Sequence, residues 1–500
     1  MSTTTPIIGD WRRHAERLTL DGRAFIDGGY ADALSGATLE ARTPLTGERI
    51  ADLAACDEAD VDVAVAAARR AFEHGAWSRA APAERKRVLL RLAELVRDHR
   101  DELAATITLD AGRPITAARG EVDGAADTFQ FYAEAIDKVL DEVAPTQPTA
   151  LALVTREPIG VVAAVVPWNF PIGMATWKLA PALAAGNSVI VKPAEQASLV
   201  LTRLAALMHE AGVPAGVQQV LPGRGEDAGQ ALGRHHDVDA VAFTGSTEVG
   251  KLFLIYAGQS NMKSVSLECG GKSPNIVLAD AGDLDRVARF AALGAFVNQG
   301  EMCSSGSRLV VEEAIRDELV ERVVAHSAAW QVGDPFDPAT TSGALIDETQ
   351  MDRVLDYVAV GRTAGARLVA GGERVAPESG GYYVAPTVFD DVDNGMRIAQ
   401  EEIFGPVLSV IPARDADDAV RIANDTMYGL AAAVWTRDVT TAHRVSRAVR
   451  AGTVWVNTYN QANLAVPFGG YKQSGFGRDK SLHALEKYTQ LKTTWLNLEV

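Results

Sequence analysis

The chain has few cysteines and no long apolar run. Only Cys56, Cys269 and Cys303 occur among its 500 residues, and their spacing follows no regular pattern. A disulfide framework is therefore not expected, which favours a reducing compartment. The longest apolar stretch, residues 160–168, is too short to span a bilayer, and the N-terminal residues show no signal-peptide core. We expect a cytoplasmic protein with no membrane partner.

Positive charge is also scarce. The sequence has 48 Lys and Arg against 65 Asp and Glu, and its formal net charge of -17 disfavours nucleic acid as a partner. Internal repeats and low-complexity segments are lacking as well. The remaining composition, 47% apolar and 23% charged, is typical of a soluble globular chain. A length of 500 residues indicates two or more domains.

Five β-rich runs in the middle of the chain alternate with amphipathic helical stretches, among them 174–185 and 199–211. Alternation of this kind implies right-handed crossovers and a parallel sheet covered on both faces, so the sequence predicts an α/β fold. The runs cover residues 160–166, 188–191, 217–221, 240–243 and 264–267.

Other segments surround this central series. We expect short strands near residues 24–30 and extended chain at 151–156 and 488–500. A second α/β series begins at residue 273 and includes a helix from 284 to about 297. Its first strands are predicted at 275–278 and 308–312, and three earlier helices are predicted at 57–72, 83–109 and 120–139.

Polar and glycine-rich segments follow each of the five runs. In an open α/β sheet, ligands bind outside the carboxyl ends of the strands. We therefore expect a ligand site formed by these segments, which are 167–171, 192–195, 222–225, 244–247 and 268–271.

Cys303 and Glu268 are the two groups with the clearest chemistry. Cys303 precedes the small, polar segment 304–307, which favours a reachable sulfur over a buried structural cysteine. Glu268 ends a β-rich run before two glycines, where it is either a solvated or capping carboxylate or a base. Together they predict aldehyde oxidation, because a thiolate adds to the carbonyl and a carboxylate activates the water that cleaves the thioester.

Asn169 follows the first run. Its side chain can be an ordinary turn residue beside Pro171, or it can donate to the oxyanion that forms when sulfur adds to a carbonyl. The Cys303 backbone N–H is the second expected donor.

A dinucleotide is the expected hydride acceptor. The segment 245–250 opens a helix after a run, and a helix N-terminus with Ser246 as an extra donor favours phosphate. Lys192 and Glu195 are either a surface ion pair or contacts to ribose hydroxyls. A carboxylate there repels a 2′-phosphate, which favours NAD over NADP.

The motifs taken together resemble those of the NAD(P)-dependent aldehyde dehydrogenases, in order and at the family's spacing from about Phe25 to the C-terminus. The resemblance rests on Trp168-Asn-Phe-Pro, Lys192-Pro-Ala-Glu, Phe243-Thr-Gly-Ser-Thr, Leu267-Glu-x-Gly-Gly-Lys, Gln299-Gly-x-x-Cys303 and Glu401-Glu-Ile-Phe-Gly-Pro406.

This resemblance implies residue roles. Cys303 is the nucleophile, Glu268 the general base and Asn169 the oxyanion donor, with Lys178 and Asp479 relaying the proton. The implied cofactor contacts are Val165, Pro167, Trp168, Lys192, Glu195, Gly225, Phe243, Gly245, Ser246, Val249, Gly270, Gln350, Glu402 and Phe404. The implied substrate pocket comprises Phe170, Met174, Trp177, Met302, Ser304, Tyr459, Asn460, Ala462 and Phe468. No metal is expected.

The resemblance also implies an aldehyde dehydrogenase-like fold. We expect a Rossmann-type NAD-binding domain (1–137 and 159–270), an α/β catalytic domain (271–478) and a β oligomerisation arm (138–158 and 479–500). A homotetramer or homodimer is expected through that arm. Within the family, segments such as 466–488 and 132–138 are most similar to enzymes that oxidise 4-(γ-glutamylamino)butanal in putrescine breakdown. A broad-specificity enzyme for aliphatic or aromatic aldehydes is the alternative.

Two positions next to the catalytic motif residues depart from the family pattern, and a third departure lies in the proposed relay. Glu301 stands where glutamine is usual, and a carboxylate directed toward Cys303 should raise the pKa of its thiol. Cys269 stands where leucine is usual, and it can in principle form a disulfide with Cys303. Asp479 also replaces the more frequent glutamate.

Overall fold

Alternating helices and strands build most of residues 8–499, the part of the chain that this computed structural model describes. The predicted ranges at residues 1–7 and at Val500 lie outside the described residues. The α-helices are α1 (Ile8–Ala15), α2 (Glu58–His74), α3 (Pro82–Asp98), α4 (Arg100–Ala111), α5 (Ile115–Ala135), α6 (Pro171–Ala185), α7 (Leu199–Ala211), α8 (Gln230–Arg234), α9 (Thr247–Gln259), α10 (Leu284–Phe296), α11 (Arg316–Ala328), α12 (Glu348–Thr363), α13 (Arg397–Gln400), α14 (Ala416–Asn424) and α15 (Val439–Ala448).

The strands belong to two large sheets and three small ones. They are β1 (Ala24–Ile26), β2 (Gly29–Ala31), β3 (Thr38–Arg42), β4 (Arg49–Ala54), β5 (Glu142–Ala144), β6 (Ala150–Pro158), β7 (Val161–Val165), β8 (Ser188–Lys192), β9 (Gln218–Val220), β10 (Ala240–Thr244), β11 (Ser264–Glu268), β12 (Pro274–Val277), β13 (Arg308–Glu312), β14 (Arg367–Ala370), β15 (Arg374–Val375), β16 (Tyr383–Val384), β17 (Thr387–Asp390), β18 (Val407–Ala413), β19 (Ala431–Trp435), β20 (Thr453–Val456), β21 (Gly475–Phe476) and β22 (Thr489–Asn497).

The first large sheet has eight strands in the order β2-β1-β9-β8-β7-β10-β11-β21. The five predicted β-rich runs form its centre, and β9, β8, β7, β10 and β11 pair in parallel. Every residue of β7, β8 and β10 is buried, because helices cover both faces of the sheet. The prediction of a parallel α/β sheet is confirmed, and the carboxyl ends of these strands share one edge.

The second large sheet has seven strands in the order β14-β17-β18-β13-β12-β19-β20. All pair in parallel except β14, which is antiparallel to β17. Its first strand and the strand Arg308–Glu312 lie where the second α/β series was predicted.

A three-stranded antiparallel sheet, β22-β6-β5, carries the two extended segments predicted near residues 151 and 491. Strand β22 pairs along its whole length with β6 and exposes Leu491 and Trp495, whose relative exposures are 65% and 59%. No helix among residues 8–499 is long and apolar enough to cross a membrane.

One predicted helix is wrong. Residues 83–109 form two helices, α3 and α4, separated at His99, whose φ of -95° and ψ of 15° depart from helical geometry. Helix α3 has a polar exposed face, whereas α4 is buried on nearly all sides from Leu103 to Ala111, so the chain must turn between surface and interior. Neither glycine nor proline marks the break. At the break, Nδ1 of His99 lies 2.6 Å from Oε2 of Glu102 in the first turn of α4.

The C-terminal part of the chain returns to the first sheet. Strand β21 pairs antiparallel with β11, and Gly475 lies opposite Glu268. Gly475 has a φ of 104°, and a Cβ there would lie 2.1 Å from the Leu267 carbonyl oxygen, so only glycine allows this approach. This pairing brings residues 475–488 beside the carboxyl edge of the sheet.

Candidate active site

A cavity of about 560 Å³ opens at the carboxyl edge of the first sheet. Its volume suits a small-molecule site. Many predicted site residues line it, namely Pro167, Trp168, Asn169, Met174, Gly245, Ser246, Glu268, Gly270, Cys303, Gln350, Glu402 and Phe404. The structure therefore brings three strand ends of the first sheet together with two loops of the second α/β series.

Cys303 lies in a loop after α10 whose backbone is unusual. Asn298, Gln299 and Gly300 have φ values of 53°, 57° and 71°, in the left-handed region. The loop passes so close to β11 that a Cβ on Gly271 would lie 2.4 Å from the Cys303 carbonyl oxygen. Gly271 is thus required for the nucleophile loop to pack against the strand that carries Glu268.

The Cys303 sulfur is 3.5 Å from Oε1 of Glu268, at the limit of a thiol–carboxylate hydrogen bond. Burial, then the charges of Glu268 and Glu402, raise the pKa of the Cys303 thiol well above its usual range. Burial and the charge of Asp479 raise the pKa of Glu268 to about 7. A thiol beside a carboxylate poised near neutrality allows the proton to pass from sulfur to Glu268.

Asn169 reaches the same loop from the end of β7. Its buried side-chain amide donates to the Glu301 carbonyl at 2.9 Å, which fixes the orientation of the carboxamide. An amide has a second N–H, and Asn169 lines the cavity that contains Cys303. This arrangement provides a fixed donor for an oxyanion formed at the sulfur-bound carbon.

The predicted relay pair, Lys178 and Asp479, is in contact. Lys178 Nζ lies 3.1 Å from Asp479 Oδ2, and both side chains are almost completely buried. Lys487 forms a second ion pair, with Oδ1 of the same carboxylate. Burial raises the pKa of Asp479, but the two lysines outweigh burial and hold it below its usual value. Asp479 is therefore a carboxylate between two cations.

Glu402 and Phe404 approach β11 and β7 from the second α/β series. Glu402 accepts a hydrogen bond from the Gly271 N–H at 2.9 Å, and a Cβ on Gly270 would lie 2.0 Å from its other oxygen. Burial raises the pKa of Glu402 to about 7. Phe404 packs edge-on against Trp168, with ring centroids 5.2 Å apart. The two glycines of the Glu268 motif thus leave room for both Glu402 and the Cys303 loop.

The Gln350 side chain forms hydrogen bonds with the backbone of the segment that carries Phe404. Its side-chain amide donates to the carbonyl oxygens of Ile403 and Phe404 at 3.1 and 2.7 Å. Phe404 itself has a φ of 60°, a left-handed conformation that the two hydrogen bonds help to hold.

The predicted adenosine contacts lie beside the cavity at the ends of β8 and β10. Among the described residues, the lining leaves out Val165, Lys192, Glu195, Gly225, Phe243 and Val249. Lys192 Nζ is 3.1 Å from Glu195 Oε2, with the lysine buried and the carboxylate partly exposed. Ser246 caps α9 by accepting from the Val249 N–H at 3.2 Å, and Val249 is 40% exposed. A helix N-terminus with an exposed serine cap, a lysine–carboxylate pair and an exposed apolar side chain fit a dinucleotide.

Among the predicted substrate residues, Met174 lines the cavity with Cys303, and the others lie outside its lining. Trp177 and Phe468 pack with ring centroids 5.6 Å apart. Tyr459 is fully buried, and its hydroxyl donates to the Ser304 carbonyl at 2.8 Å, so it supports the nucleophile loop from behind. Phe170 packs under the guanidinium of Arg113 at 4.2 Å. Among the remaining residues, Met302 is partly buried, Ser304 is buried, Asn460 is partly buried and Ala462 is exposed.

The two departures from the family pattern face away from the sulfur. The Glu301 carboxyl accepts from the Ile346 N–H at 3.0 Å, and burial raises the pKa of Glu301 well above its usual range. Cys269 is buried, and its sulfur would contact a Cβ placed on Gly250 of α9 at 2.8 Å. Burial raises the pKa of the Cys269 thiol to about 12, which makes it a poor nucleophile.

Several residues near the site were not predicted. Lys487 contacts Asp479, and Lys480 lies beside Trp177 and Phe468. Most additional cavity residues come from segments that carry predicted ones, namely Thr244, Glu248, Cys269, Arg353, Tyr357 and Glu401. Met427 and Tyr428 come instead from the loop between α14 and β19, which carries no predicted residue. Arg353 follows Gln350 by one helical turn of α12, a spacing that could have indicated it.

Comparison with known proteins identifies the group to which this site belongs. A model of the "Aldehyde dehydrogenase family" matches residues 30–494. The chain belongs to the aldehyde dehydrogenase family. The resemblance inferred from the sequence motifs and the predicted aldehyde dehydrogenase-like fold are thereby confirmed.

Individual members of the family are similar over nearly the full length of this aldehyde dehydrogenase. The Escherichia coli (strain K12) NADP/NAD-dependent aldehyde dehydrogenase PuuC is 51% identical over 490 residues, 98% of each chain. The crystal structure of gamma-glutamyl-gamma-aminobutyraldehyde dehydrogenase from Burkholderia cenocepacia J2315 is 57% identical, with a TM-score of 0.97, covering 99% of this chain and 100% of that one. An indole-3-acetaldehyde dehydrogenase structure complexed with NAD+ is 55% identical, with a TM-score of 0.98 and the same coverage.

Proposed function

We propose that this aldehyde dehydrogenase oxidises a linear aldehyde to its carboxylic acid with NAD as the hydride acceptor. The observation that carries the proposal is the 3.5 Å approach of the Cys303 sulfur to Glu268 inside one cavity. A nucleophile and a base at this distance suit both thioester formation and thioester hydrolysis.

The first chemical step is addition of sulfur to the aldehyde. Glu268 accepts the Cys303 proton, and the thiolate attacks the carbonyl carbon to give a thiohemiacetal. The Asn169 amide, held by the Glu301 carbonyl, donates to the oxyanion. Bound NAD supplies the hydride acceptor that turns the thiohemiacetal into a thioester.

The second step is hydrolysis. Glu268 first releases to solvent the proton that it took from sulfur, and it then takes a proton from water, which attacks the thioester. That proton passes to the leaving sulfur, so the acid and the Cys303 thiol are released. The pKa of Glu268, about 7, is suited to this task because the carboxylate is a stronger base than an exposed one and is still half ionised near neutral pH. Burial contributes most to this raised pKa, the charge of Asp479 adds to it, and the charges of Lys178 and Lys487 reduce it. Ion pairs join these three residues, which we propose carry away the proton that Glu268 releases.

The residues present support NAD over NADP. Glu195 is partly exposed at the end of β8, where it is 3.1 Å from Lys192. A carboxylate at that position pairs with ribose hydroxyls and repels a 2′-phosphate. The similar E. coli enzyme is named for both cofactors, so we expect a preference rather than an absolute requirement.

Transfer of the acyl group to coenzyme A is the rival reaction within the family. An enzyme of that kind needs no base for hydrolysis, whereas here Glu268 lies beside the nucleophile. Measuring acid and coenzyme A thioester after turnover with and without coenzyme A separates the two. Thioester as the main product would refute hydrolysis. Absence of any NADH from small aldehydes would refute enzymatic function altogether.

The substrate that we favour is 4-(γ-glutamylamino)butanal, an intermediate of putrescine breakdown. Lys480 supports this choice. Its ammonium lies 5.0 and 5.3 Å from the ring centroids of Trp177 and Phe468, two predicted pocket walls. Among residues 8–499 it forms no ion pair, and burial lowers its pKa. The far end of a γ-glutamyl aldehyde carries an α-carboxylate beside an α-ammonium, and the carboxylate can pair with the Lys480 cation. A free aminoaldehyde presents only an ammonium, which this cation repels.

The test compares kcat/KM for 4-(γ-glutamylamino)butanal, 4-aminobutanal and butanal in the wild type and in Lys480→Met. We expect the ratio of the γ-glutamyl to the neutral aldehyde to fall on the order of tenfold, because one charge pair is lost. Lys138→Met, which removes an exposed surface lysine, is the matched control. An unchanged ratio would remove Lys480 from substrate selection.

A broad-specificity enzyme for aromatic aldehydes is the second candidate. It is favoured by the aromatic side chains near the nucleophile, since Trp177 and Phe468 are 5.6 Å apart and Trp455 and Tyr459 are 4.8 Å apart. A similar solved structure is named for an indole aldehyde. Higher kcat/KM for benzaldehyde or an indole aldehyde than for the γ-glutamyl substrate would establish this alternative.

We also infer that the enzyme is a homodimer or homotetramer. Strand β22 is an exposed sheet edge with apolar side chains, including Leu491 and Trp495. An edge of this kind is a template for pairing with another chain. Light scattering during size-exclusion chromatography measures the mass directly, and a 53.1 kDa particle would contradict the inference.

A further inference from the structure

Arg113 is a buried cation outside all the motifs that predicted the site. It lies between α4 and α5, and only 5% of it is exposed. One guanidinium nitrogen, Nη1, donates to the Asn169 carbonyl at 3.0 Å and to the Asn298 side-chain oxygen at 2.7 Å. Arg113 therefore touches the oxyanion-donor segment and the nucleophile loop with the same nitrogen.

Asn298 completes a ring of hydrogen bonds around this contact. Its side-chain amide donates to the carbonyl oxygens of Asn169 and Glu301, both at 3.0 Å. The Asn169 amide donates to the same Glu301 carbonyl at 2.9 Å. These hydrogen bonds connect the nucleophile loop, at Glu301, to the Asn169 amide that is the proposed oxyanion donor.

This ring holds a backbone that L-residues disfavour. Asn298 and Gln299 are both left-handed, with φ values of 53° and 57°. Two consecutive non-glycine residues in this region persist only where the surroundings fix them. The hydrogen bond from Arg113 to the Asn298 side chain supplies such a fixed contact three residues before the Glu301 carbonyl.

Glu121 balances the charge of Arg113 and contacts the chain just after Asn169. Its Oε2 lies 3.1 Å from Arg113 Nε, an ion pair without hydrogen-bond alignment. Its Oε1 accepts from the Gly173 N–H at 2.9 Å, in the first turn of α6. The pair therefore contacts the backbone at Asn169 itself and at Gly173 in the following helix.

A buried ion pair is a costly way to stabilise a core, since apolar residues of similar volume often serve as well. This pair directs its hydrogen bonds to the backbones of two catalytic segments. We propose that Arg113 is a positioning residue of the oxyanion site, which sets the Asn169 amide against the Cys303 loop. The inference rests on the proposed reaction.

The reaction step affected is the one in which the oxyanion forms. A displacement of about 1 Å in a positioned group can cost on the order of 100-fold in rate. In Arg113→Met we expect the rate of the first NADH turnover to fall by about 10- to 100-fold. The KM for aldehyde should change less than about threefold, since Arg113 lies behind Asn169 and away from the substrate.

Arg113→Lys keeps the charge but cannot reproduce the two hydrogen bonds and the contact to Glu121 from one ammonium. We expect it to lose about tenfold in the same rate. This variant keeps the test open if Arg113→Met does not fold. Arg97→Met, which breaks an exposed ion pair between Arg97 of α3 and Asp127 of α5, is the matched control and should behave as wild type.

A double-mutant cycle with Asn169→Ala gives the decisive readout. If Arg113 acts through Asn169, Arg113→Lys should cost less than about threefold in the Asn169→Ala background. Full multiplicative loss, or a wild-type first-turnover rate in Arg113→Lys, would overturn the proposal. Failure of the reaction itself is distinguishable, because then the wild type would produce no NADH from aldehyde.

Discussion

Replacement of Glu268 by glutamine is the sharpest test of the mechanism. Glutamine keeps the shape of the side chain but cannot accept a proton from the sulfur 3.5 Å away or from water. General-base catalysis contributes about 10²- to 10⁴-fold, and we expect steady-state turnover at pH 7.5 to fall by that factor. Thioester hydrolysis should suffer more than thioester formation, because hydride transfer needs no base once the thiolate has added.

The pKa of Glu268 also predicts how the kcat of the wild type changes with pH. With the pKa of Glu268 at about 7, about one tenth of the carboxyl is ionised at pH 6 and about nine tenths at pH 8. Because the raised pKa leaves the proton on the carboxyl at low pH, activity is lost as the pH falls through about 7. Steady-state kcat should therefore rise roughly ninefold between pH 6 and pH 8.

Stopped-flow measurement of NADH separates the two steps. In Glu268→Gln we expect a burst of about one NADH per active site followed by slow turnover, with the burst rate reduced less than the steady state. Loss of turnover without a burst would mean that Glu268 acts only before hydride transfer. A wild-type kcat that is flat between pH 6 and pH 8 would contradict the assignment of Glu268 as the base.

Four further substitutions test other parts of the site. Cys303→Ala should remove dehydrogenase activity in an NADH absorbance assay, and near-normal turnover would refute the nucleophile. Glu195→Gln should reduce the ratio of kcat/KM with NAD to kcat/KM with NADP by roughly fivefold or more. The reason is that a carboxylate about 4 Å from the 2′-phosphate of NADP costs about 1 kcal/mol even in bulk water. An unchanged ratio would contradict the role of Glu195. Lys487 lowers the pKa of Glu268, so Lys487→Met should move the acid limb of the pH–rate profile to higher pH. Asp479 raises that pKa, so Asp479→Asn should move the acid limb to lower pH. If the acid limb moved to the same pH in both variants, neither charge would be acting on Glu268.

Local patterns predicted much of this structure. The five strands of the first sheet were recognisable because strands buried on both faces are continuous apolar runs, and the rule that ligands gather at carboxyl strand ends placed Asn169 and Glu268 at one edge. Cys303 was recognisable from its small, polar neighbours. These signals lie within a few residues of the groups they indicate.

Contacts between distant segments could not be predicted in this way. Arg113 reaches Asn298 across 185 positions of sequence, and Lys178 reaches Asp479 across 301. The direction of the Glu301 carboxyl depends on the Ile346 N–H, which no pattern near residue 301 reveals. The break at His99 has no glycine or proline, since it arises from the change between exposed and buried packing.

The pairing of Gly475 with Glu268 has a consequence for biosynthesis. The strand that presents the carboxylate is flanked on one side by a segment that is synthesised long after it, together with Asp479. A polypeptide that ends before this segment can make the cysteine loop but leaves one edge of β11 unpaired. Electrophilic aldehydes therefore meet a competent enzyme only after this segment has been made and has paired with β11.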